Sequence, residues 1–220
     1  MMNELNNELI EQMAAEALDV ASVDSDPIAQ FRRRYAQAKS AGIPREDAMT
    51  LATLGPDGAP TARIVLYKDL ADLGYAEPDF PFFTNYESDK AEQLARDARA
   101  ALVFHWKPPA RQVRVEGAVE KLPERFSDAY FATRPRGSQL GAWASPQSCV
   151  VPSRASLEAK ERALEAEYAG REVPRPPHWG GYVLKPHTIE FWQHRDSRLH
   201  DRVRYTLEED GVWRVERLGP

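Results

Sequence analysis

Alternation of apolar and polar residues predicts a series of β-strands through much of the chain. Ala48–Thr53 and Thr61–Lys68 flank a Gly55-Pro-Asp-Gly58 turn, a pattern typical of a β-hairpin. Further strands are expected at 81–84, 101–106, 111–122, 179–184, 188–192 and 212–217. Strands at hairpin spacing favour an antiparallel barrel over a doubly wound parallel sheet.

Apolar residues at helical spacing predict helices around this barrel. Asp26 can cap a helix that begins at Pro27 and ends before Gly42. The Arg32-Arg33-Arg34 run lies largely opposite the apolar face of this helix, so we expect it to be solvated. Further helices are expected after Ser88, from Pro123 to about Arg134, and from about Ser153 to Tyr168.

Charge separates the N-terminus from the rest of the chain. Residues 1–26 contain seven of the 34 acidic residues, whereas all 29 Lys and Arg residues follow them. The remainder is therefore nearly neutral and, with 42% hydrophobic residues overall, sufficient for a sizeable core. We expect a flexible acidic arm at residues 1–25 and a single domain at residues 26–220.

Several classes of protein are disfavoured by these features. No apolar run is long enough to cross a bilayer and no signal-peptide pattern begins the chain, so a cytoplasmic protein is expected. A single cysteine, Cys149, excludes an internal disulfide framework and a cysteine-based metal cage. His194 and His200 lack an obvious third metal ligand. The near-neutral body does not suggest nucleic-acid binding, and local basic clusters suit a small anionic ligand better.

The first basic cluster lies on the predicted strand Thr61–Lys68. Five residues at ~3.3 Å each would separate Arg63 from Lys68 by roughly 17 Å, about the span of a phosphorylated aromatic cofactor. The alternative is an edge strand with solvated ends. Downstream, Thr84, Ser88 and Lys90 form either a phosphate cradle at a helix start or an ordinary helix start, and Asp89 would repel a phosphate there.

Two further stretches combine cations with hydroxyl or aromatic groups. Tyr130–Ser138 contains donors suited to a second phosphoryl group, but a basic helix C-terminus is an equal alternative. Phe191–Arg202 contains three arginines, two histidines and two carboxylates directly after a strand. Since so many charges are not buried unless paired, this stretch is either a surface or a site.

Nine separated motifs occur in the order of one known family. They are Arg63-Ile-Val-Leu-Tyr-Lys68, Phe83-Thr-Asn85, Arg111-Gln-Val113, Tyr130 to Ser138, Gln139-Leu-Gly-Ala-Trp143, Gln147-Ser148, Pro176-Pro-His-Trp-Gly-Gly181, Glu190-Phe-Trp192 and Arg198-Leu-His-Asp-Arg202. The set, which spans about Asp26 to Pro220, resembles the pyridoxine/pyridoxamine 5'-phosphate oxidases. The resemblance implies a mainly β protein with peripheral helices, an antiparallel, Greek-key-like FMN-binding split β-barrel, and a homodimer with FMN at its interface.

The resemblance also implies roles for individual residues. The FMN-binding set would be Arg63, Ile64, Val65, Leu66, Lys68, Phe83, Thr84, Lys90, Gln112, Gln147, Ser148, Trp192 and Arg202. The substrate-binding set would be Lys68, Tyr130, Arg134, Ser138, Arg198 and His200, of which Arg198 and His200 would also be catalytic. Two anionic ligands sharing one site would explain why cations recur without acidic partners.

The implied reaction is oxidation of pyridoxamine or pyridoxine 5'-phosphate to pyridoxal 5'-phosphate, with O2 as acceptor and H2O2 as product. Asp89 and Phe83 depart from the family pattern, where an arginine and a tyrosine are usual, and Asp89 predicts weaker FMN binding. The alternatives are another split-barrel FMN oxidase, such as a phenazine-biosynthesis type, or a non-catalytic flavin- or pyridoxal-phosphate-binding protein.

Overall fold

One antiparallel sheet contains every strand of the computed structural model, which describes residues 5–220. Its strands are β1 (Ala48–Leu54), β2 (Pro60–Leu66), β3 (Phe80–Asn85), β4 (Arg99–Trp106), β5 (Arg111–Lys121), β6 (Trp179–Gln193), β7 (Asp201–Leu207) and β8 (Trp213–Arg217). The strand order is β2-β1-β4-β5-β6-β7-β8, and β3 pairs with the first half of β6. Within the described residues β2 and β8 do not pair, so the barrel is split rather than closed.

The predicted hairpin is confirmed, with Thr53 opposite Thr61. Its second strand ends at Leu66, two residues earlier than predicted, because Lys68 donates its backbone N–H to Pro81 of β3 instead. The two strands predicted at 179–184 and 188–192 form the single strand β6. The register between β5 and β6 shifts between Glu116 and Gly117. Glycine is required at position 117, because a Cβ there would lie 2.0 Å from the Lys185 carbonyl oxygen.

Six α-helices lie within the described residues. They are α1 (Asn7–Ala15), α2 (Pro27–Ser40), α3 (Asp89–Arg96), α4 (Glu124–Thr133), α5 (Arg136–Ala144) and α6 (Arg154–Glu167), with short 3-10 turns at Ala71–Leu73 and Asp196–Arg198. The cap predicted for α2 is confirmed, because the Asp26 carboxylate accepts the Ile28 N–H at 2.9 Å. Neither α5 nor β7 is predicted from the sequence, because α5 contains two glycines, which disfavour a helix, and β7 contains three charged residues.

Helix α2 places Phe31 in an aromatic core, with ring centroids 4.8 Å from Phe80 and 5.0 Å from Phe104. The predicted solvation of residues 32–34 is wrong for Arg34, which is fully buried. Its guanidinium carbon lies 5.6 Å from the centroid of the Phe191 ring. Burial lowers the pKa of Arg34 to about 9.

The acidic N-terminal segment packs against the main hydrophobic core. Met13 and Leu18 are each only 1% exposed, and the Glu16 carboxylate lies 2.6 Å from the guanidinium group of Arg111. The prediction of a flexible arm at residues 1–25 therefore differs from the structure over residues 7–18, because distant arginines pair with its acidic groups. Its first four residues lie outside the described part of the chain, and the division at residue 25 stays a prediction.

Residues 5–220 contain neither a candidate membrane span nor a candidate metal site. No helix there has the length and apolar character required to cross a bilayer. No group of three or more His, Cys, Asp or Glu side chains in that range is placed to hold a metal ion.

Candidate active site

A pocket of ≈ 270 Å³ opens beside the C-terminal end of β2. Ten of its eleven lining residues are predicted site residues, so the fold brings together side chains from segments far apart in sequence. The lining residues are Ile64, Val65, Leu66, Lys68, Phe83, Thr84, Lys90, Tyr130, Arg134, Gln147 and Trp179.

One part of the pocket is a cluster of polar groups around Lys90, in the first turn of α3. The Lys90 ammonium donates to Gln147 Oε1 at 2.7 Å and to the hydroxyl oxygens of Thr84 and Ser88 at 3.2 Å. These acceptors are neutral, and within residues 5–220 no carboxylate forms an ion pair with Lys90. Burial lowers the pKa of Lys90, so an anion bound here would stabilise its charged form.

Arg63 is held on β2 by a second set of neutral acceptors. Its guanidinium group donates to Thr61 Oγ1 at 2.7 Å, to Gln93 Oε1 at 2.9 Å, and to Thr53 Oγ1. Burial lowers the pKa of Arg63, and Asp89 partly opposes this effect. Gln93 is absent from the predicted set, since an isolated glutamine on a helix carries no sequence signal of such a contact.

Aromatic rings form one wall of the pocket. Phe83 stacks on Tyr130 with 4.2 Å between ring centroids and on Trp179 with 5.2 Å. The Arg134 guanidinium carbon lies 4.6 Å from the Trp179 ring centroid, and Arg134 Nη1 is buried without a hydrogen-bond partner among the described residues. Trp179 belongs to the motif at 176–181 but is absent from the predicted site, because an aromatic residue at the start of a strand is usually a core residue.

Lys68 contradicts the expectation that the site cations lack acidic partners. Its ammonium nitrogen lies 2.7 Å from Asp47 Oδ2, and the side chains of both residues are largely buried. The two meet because the Tyr67 N–H donates to the Asp47 carbonyl at 2.8 Å, which extends the pairing of β1 and β2. An anion that binds Lys68 must therefore compete with Asp47.

Three predicted residues near the pocket, Arg63, Ser138 and Ser148, are not part of its lining. Ser138 is exposed on α5, while Ser148 accepts the Asp89 N–H at 3.2 Å through its hydroxyl oxygen. Ser148 has a φ of 71°, a left-handed conformation that is uncommon for serine. It therefore contacts the start of α3 without lining the pocket.

The remaining predicted residues form a second group on β5, β6 and β7 that does not line this pocket. Gln112, Trp192 and Arg202 are in register on these three adjacent strands. Arg202 makes a bidentate pair with Glu190, with Nε–Oε1 and Nη2–Oε2 distances of 2.8 and 3.0 Å. The His200 ring centroid lies 4.7 Å from that of Trp192.

Arg198 is exposed beside this second group and forms no hydrogen bond or ion pair to another residue of the described chain. It and Ser197 have φ values of 61° and 56°, which for non-glycine residues cost about 1–3 kcal/mol each. Such strain is common at functional sites.

Comparison with known proteins identifies two family regions. A family model described as Pyridoxamine 5'-phosphate oxidase matches residues 36–168. A second one, described as Pyridoxine 5'-phosphate oxidase C-terminal dimerisation region, matches residues 179–220. The two matches include both groups of predicted site residues.

Curated relatives match almost the whole chain. A pyridoxine/pyridoxamine 5'-phosphate oxidase of Ralstonia pickettii is 54% identical over 207 residues, covering 94% of this chain and 95% of that protein. Its counterpart from Salinibacter ruber is 52% identical over 215 residues, covering 97% and 98%.

Solved structures confirm the split-barrel fold. PhzG from Burkholderia lata, in complex with tetrahydrophenazine-1-carboxylic acid, superposes with a TM-score of 0.85 at 28% identity, covering 94% of this chain and all of that one. A pyridoxamine 5'-phosphate oxidase-related, FMN binding protein from Nostoc punctiforme gives a TM-score of 0.68 at 15% identity, with 93% and 100% covered, and shows the shared fold alone. From its sequence and its fold, the chain belongs to the pyridoxamine 5'-phosphate oxidase family.

Proposed function

We propose that this protein oxidises pyridoxamine 5'-phosphate or pyridoxine 5'-phosphate to pyridoxal 5'-phosphate, using FMN as cofactor and O2 as electron acceptor, with H2O2 as product. The observation that carries the proposal is one pocket with two sets of phosphate donors. Lys90, Thr84 and Gln147 form one set, and Arg134 with Tyr130 forms the other. Two phosphorylated aromatic ligands require both sets together with an aromatic wall.

The residues present fit FMN. Lys90 is a half-buried cation with only neutral partners in the described chain, so it can hold the FMN phosphate with Thr84, Gln147 and the neighbouring Ser148. Arg63 and the β2 residues Ile64, Val65 and Leu66 would flank the ring system. Bound FMN supplies the hydride acceptor, which no side chain of the protein can replace.

A homodimer would bring the two separated groups together. The second group contains Gln112, Trp192, Arg198, His200 and Arg202, and most of it lies within the region matched to a dimerisation segment. We propose that this group from one copy completes the pocket of the other, where Arg202 exchanges part of its pairing with Glu190 for FMN. The cytoplasmic location stays a prediction.

The protein's own part of the reaction is placement and polarisation. Arg134, Tyr130 and Ser138 would hold the substrate phosphate, and Lys68 would reach it after leaving Asp47. Arg198 and His200 would orient the alcohol or amine over the flavin. The stacked rings of Phe83, Tyr130 and Trp179 would shield one side of a bound substrate from water.

A direct assay tests the proposal. The purified protein should show a flavin spectrum, and adding either phosphorylated vitamer in air should produce the absorbance of pyridoxal 5'-phosphate together with peroxide. A bound flavin without turnover would instead support the non-catalytic alternative.

The likeness to PhzG supports a second candidate, oxidation of a reduced phenazine precursor. Lys68, Tyr130 and Arg134 favour the phosphorylated pyridine, because a phenazine carboxylate needs no second phosphate site. A kcat/KM higher for tetrahydrophenazine-1-carboxylic acid than for either vitamer would reverse this preference.

Arg134→Met should raise the KM for the phosphorylated substrate about 10- to 100-fold, since a charge-assisted hydrogen bond contributes about 1.5–3 kcal/mol. Methionine retains much of the packing against Trp179, so FMN affinity should stay unchanged. Steady-state kinetics and a flavin titration separate the two effects. The matched control is Arg136→Met, which removes an arginine bound to Glu165 and leaves the pocket intact. Equal KM values for the two variants would argue against a phosphate site at Arg134.

Asp89→Arg should tighten FMN binding roughly fivefold, because removing a carboxylate from a helix N-terminus that binds phosphate yields about 1 kcal/mol. Asp89 is exposed at the first position of α3, one residue before Lys90. Isothermal titration with FMN measures the change. Glu92→Arg, the same charge reversal at an exposed position further along the helix, should have a smaller effect, and identical affinities in all three proteins would refute the repulsion.

A further inference from the structure

Arg195 links the N-terminal segment to β7, the strand that follows the loop of residues 196–199. Its Nη1 donates to the Ala14 carbonyl at 2.8 Å and its Nη2 to the Glu16 carbonyl at 2.5 Å. Its Nε donates to Asp201 Oδ2 at 2.6 Å, at the first residue of β7. All three guanidinium nitrogens are therefore engaged, and two of them hold backbone about 180 positions earlier in the chain.

The backbone of the same residue contacts His200. The Arg195 N–H donates to His200 Nδ1 at 3.1 Å. Because a backbone N–H can only donate, Nδ1 must carry a lone pair, and the neutral ring carries its proton on Nε2. The position of Arg195 therefore fixes which ring nitrogen of His200 is protonated: Nδ1 accepts the Arg195 N–H, and Nε2 carries the proton.

The loop between these two residues has little packing of its own. Residues 196–199 are exposed, and Ser197 and Arg198 are both in the left-handed region. Left-handed non-glycine residues persist only where the surrounding structure holds them. One internal hydrogen bond, from the Leu199 N–H to the Asp196 carbonyl at 3.1 Å, closes the turn.

Asp201 anchors the far end of the loop. Its Oδ1 accepts from Arg217 Nη1 at 2.9 Å, in addition to the Arg195 contact at Oδ2. Burial by itself would raise the pKa of Asp201, but hydrogen bonds from Arg195 and Arg217 lower it. The carboxylate is therefore ionised at neutral pH and can hold both guanidinium groups.

We propose that Arg195 is a positioning residue, which fixes the 196–199 loop against the N-terminal segment so that His200 presents its Nε2–H, and Arg198 its guanidinium group, to the substrate. This inference rests on the proposed function of the same site. It gives the acidic N-terminal segment a role in catalysis without any contact between that segment and the ligands.

The test compares Arg195→Ala and Arg195→Lys in the full-length, FMN-loaded protein. Anaerobic stopped-flow reduction by pyridoxamine 5'-phosphate should slow at least about tenfold in Arg195→Ala, because small misplacements of a catalytic group have large rate effects. Arg195→Lys can still reach a carbonyl or Asp201 and should recover part of the rate. FMN affinity should stay within twofold of the wild type in both variants.

A spectroscopic readout separates positioning from simple destabilisation. Nitrogen-15 NMR of the histidine rings should show the Nε2–H form of His200 in the wild type and a mixture of tautomers in Arg195→Ala. The matched control is Arg33→Ala, which removes another arginine bound to Glu16 but does not touch the loop. This control should lower the melting temperature and leave both the reduction rate and the tautomer unchanged.

Wild-type rates and an unchanged tautomer in Arg195→Ala would overturn the inference. So would equal losses of rate in Arg195→Ala and Arg33→Ala. If Arg195→Ala does not fold, a wild-type rate and tautomer in Arg195→Gln, which cannot make all three contacts, overturn it equally. A wild-type protein that binds FMN but does not oxidise the substrate would refute the proposed function, whereas the tautomer comparison would still decide the role of Arg195.

Discussion

Arg198→Ala is expected to slow flavin reduction by substrate on the order of a hundredfold while FMN remains bound, as when one preorganised electrostatic group is removed from an active site. Arg198 is exposed, and its side chain has no polar partner in the described chain, so its loss should leave the fold intact. Its left-handed backbone indicates that the loop holds it in place for a purpose other than packing.

Single-turnover reduction under anaerobic conditions measures this effect directly, since reoxidation by oxygen is then absent. Arg154→Ala, which removes an exposed arginine from α6, provides the control and should reduce the flavin at the wild-type rate. Normal reduction by Arg198→Ala would remove Arg198 from the catalytic assignment. Loss of FMN together with activity would instead assign Arg198 to cofactor binding.

Glu16→Gln should lower the free energy of unfolding by about 3 kcal/mol, because it leaves the charge of Arg111 in the interior without its anionic partner. The Arg111 side chain is fully buried, and Glu16 supplies the carboxylate that binds it at 2.6 Å. For a chain of this size the melting temperature should fall by on the order of 10 °C at fixed protein concentration.

The loss of stability caused by Glu16→Gln should become smaller as the pH falls. Burial alone would raise the pKa of Glu16, but Arg111 and Arg33 together hold it below its ordinary value of 4.5. A carboxylate with a lowered folded-state pKa stabilises the protein above the unfolded value, and this contribution is lost as the pH falls through the folded value. The stability difference between wild type and Glu16→Gln should therefore be full at pH 7 and shrink below pH 4.5.

Denaturant unfolding at pH 7 and at several acidic pH values tests both statements. Glu11→Gln is the matched control, because Glu11 is an exposed residue of α1 with no ion pair in the described chain. It carries the same charge change and should alter stability by less than about 0.5 kcal/mol. Equal effects of the two substitutions would show that the Glu16–Arg111 pair contributes nothing specific.

Much of the local structure could be predicted because short-range patterns determine it. The Gly-Pro-Asp-Gly turn defines the β1–β2 hairpin, and Asp26 followed by Pro27 defines the start of α2. Most residues of the pocket lining were expected only through the resemblance to the oxidase family, which matches short motifs of this sequence position by position. Each of these features depends on residues that are neighbours in sequence.

Long-range pairing could not be predicted in the same way. Nothing near Lys68 in sequence indicates its ion pair with Asp47, and nothing near Arg34 indicates that its side chain is fully buried. The acidic character of that segment suggested a solvated arm, yet Glu16 pairs with an arginine 95 positions away. A carboxylate stabilises a packed segment only if a buried cation lies beside it, and the cation's position depends on the completed sheet.

The sequence by itself therefore determined most of the strand and helix pattern, the family and the residues proposed to bind two phosphorylated rings, because local propensity and family motifs contain that information. Only the tertiary structure decided which cations are free to bind an anion, that the predicted site residues lie in two groups, and that Arg195 connects the N-terminal segment to His200. The physical reason is that desolvation, ion pairing and loop strain depend on contacts between groups that are distant in sequence. These contacts form only when the sheet has folded.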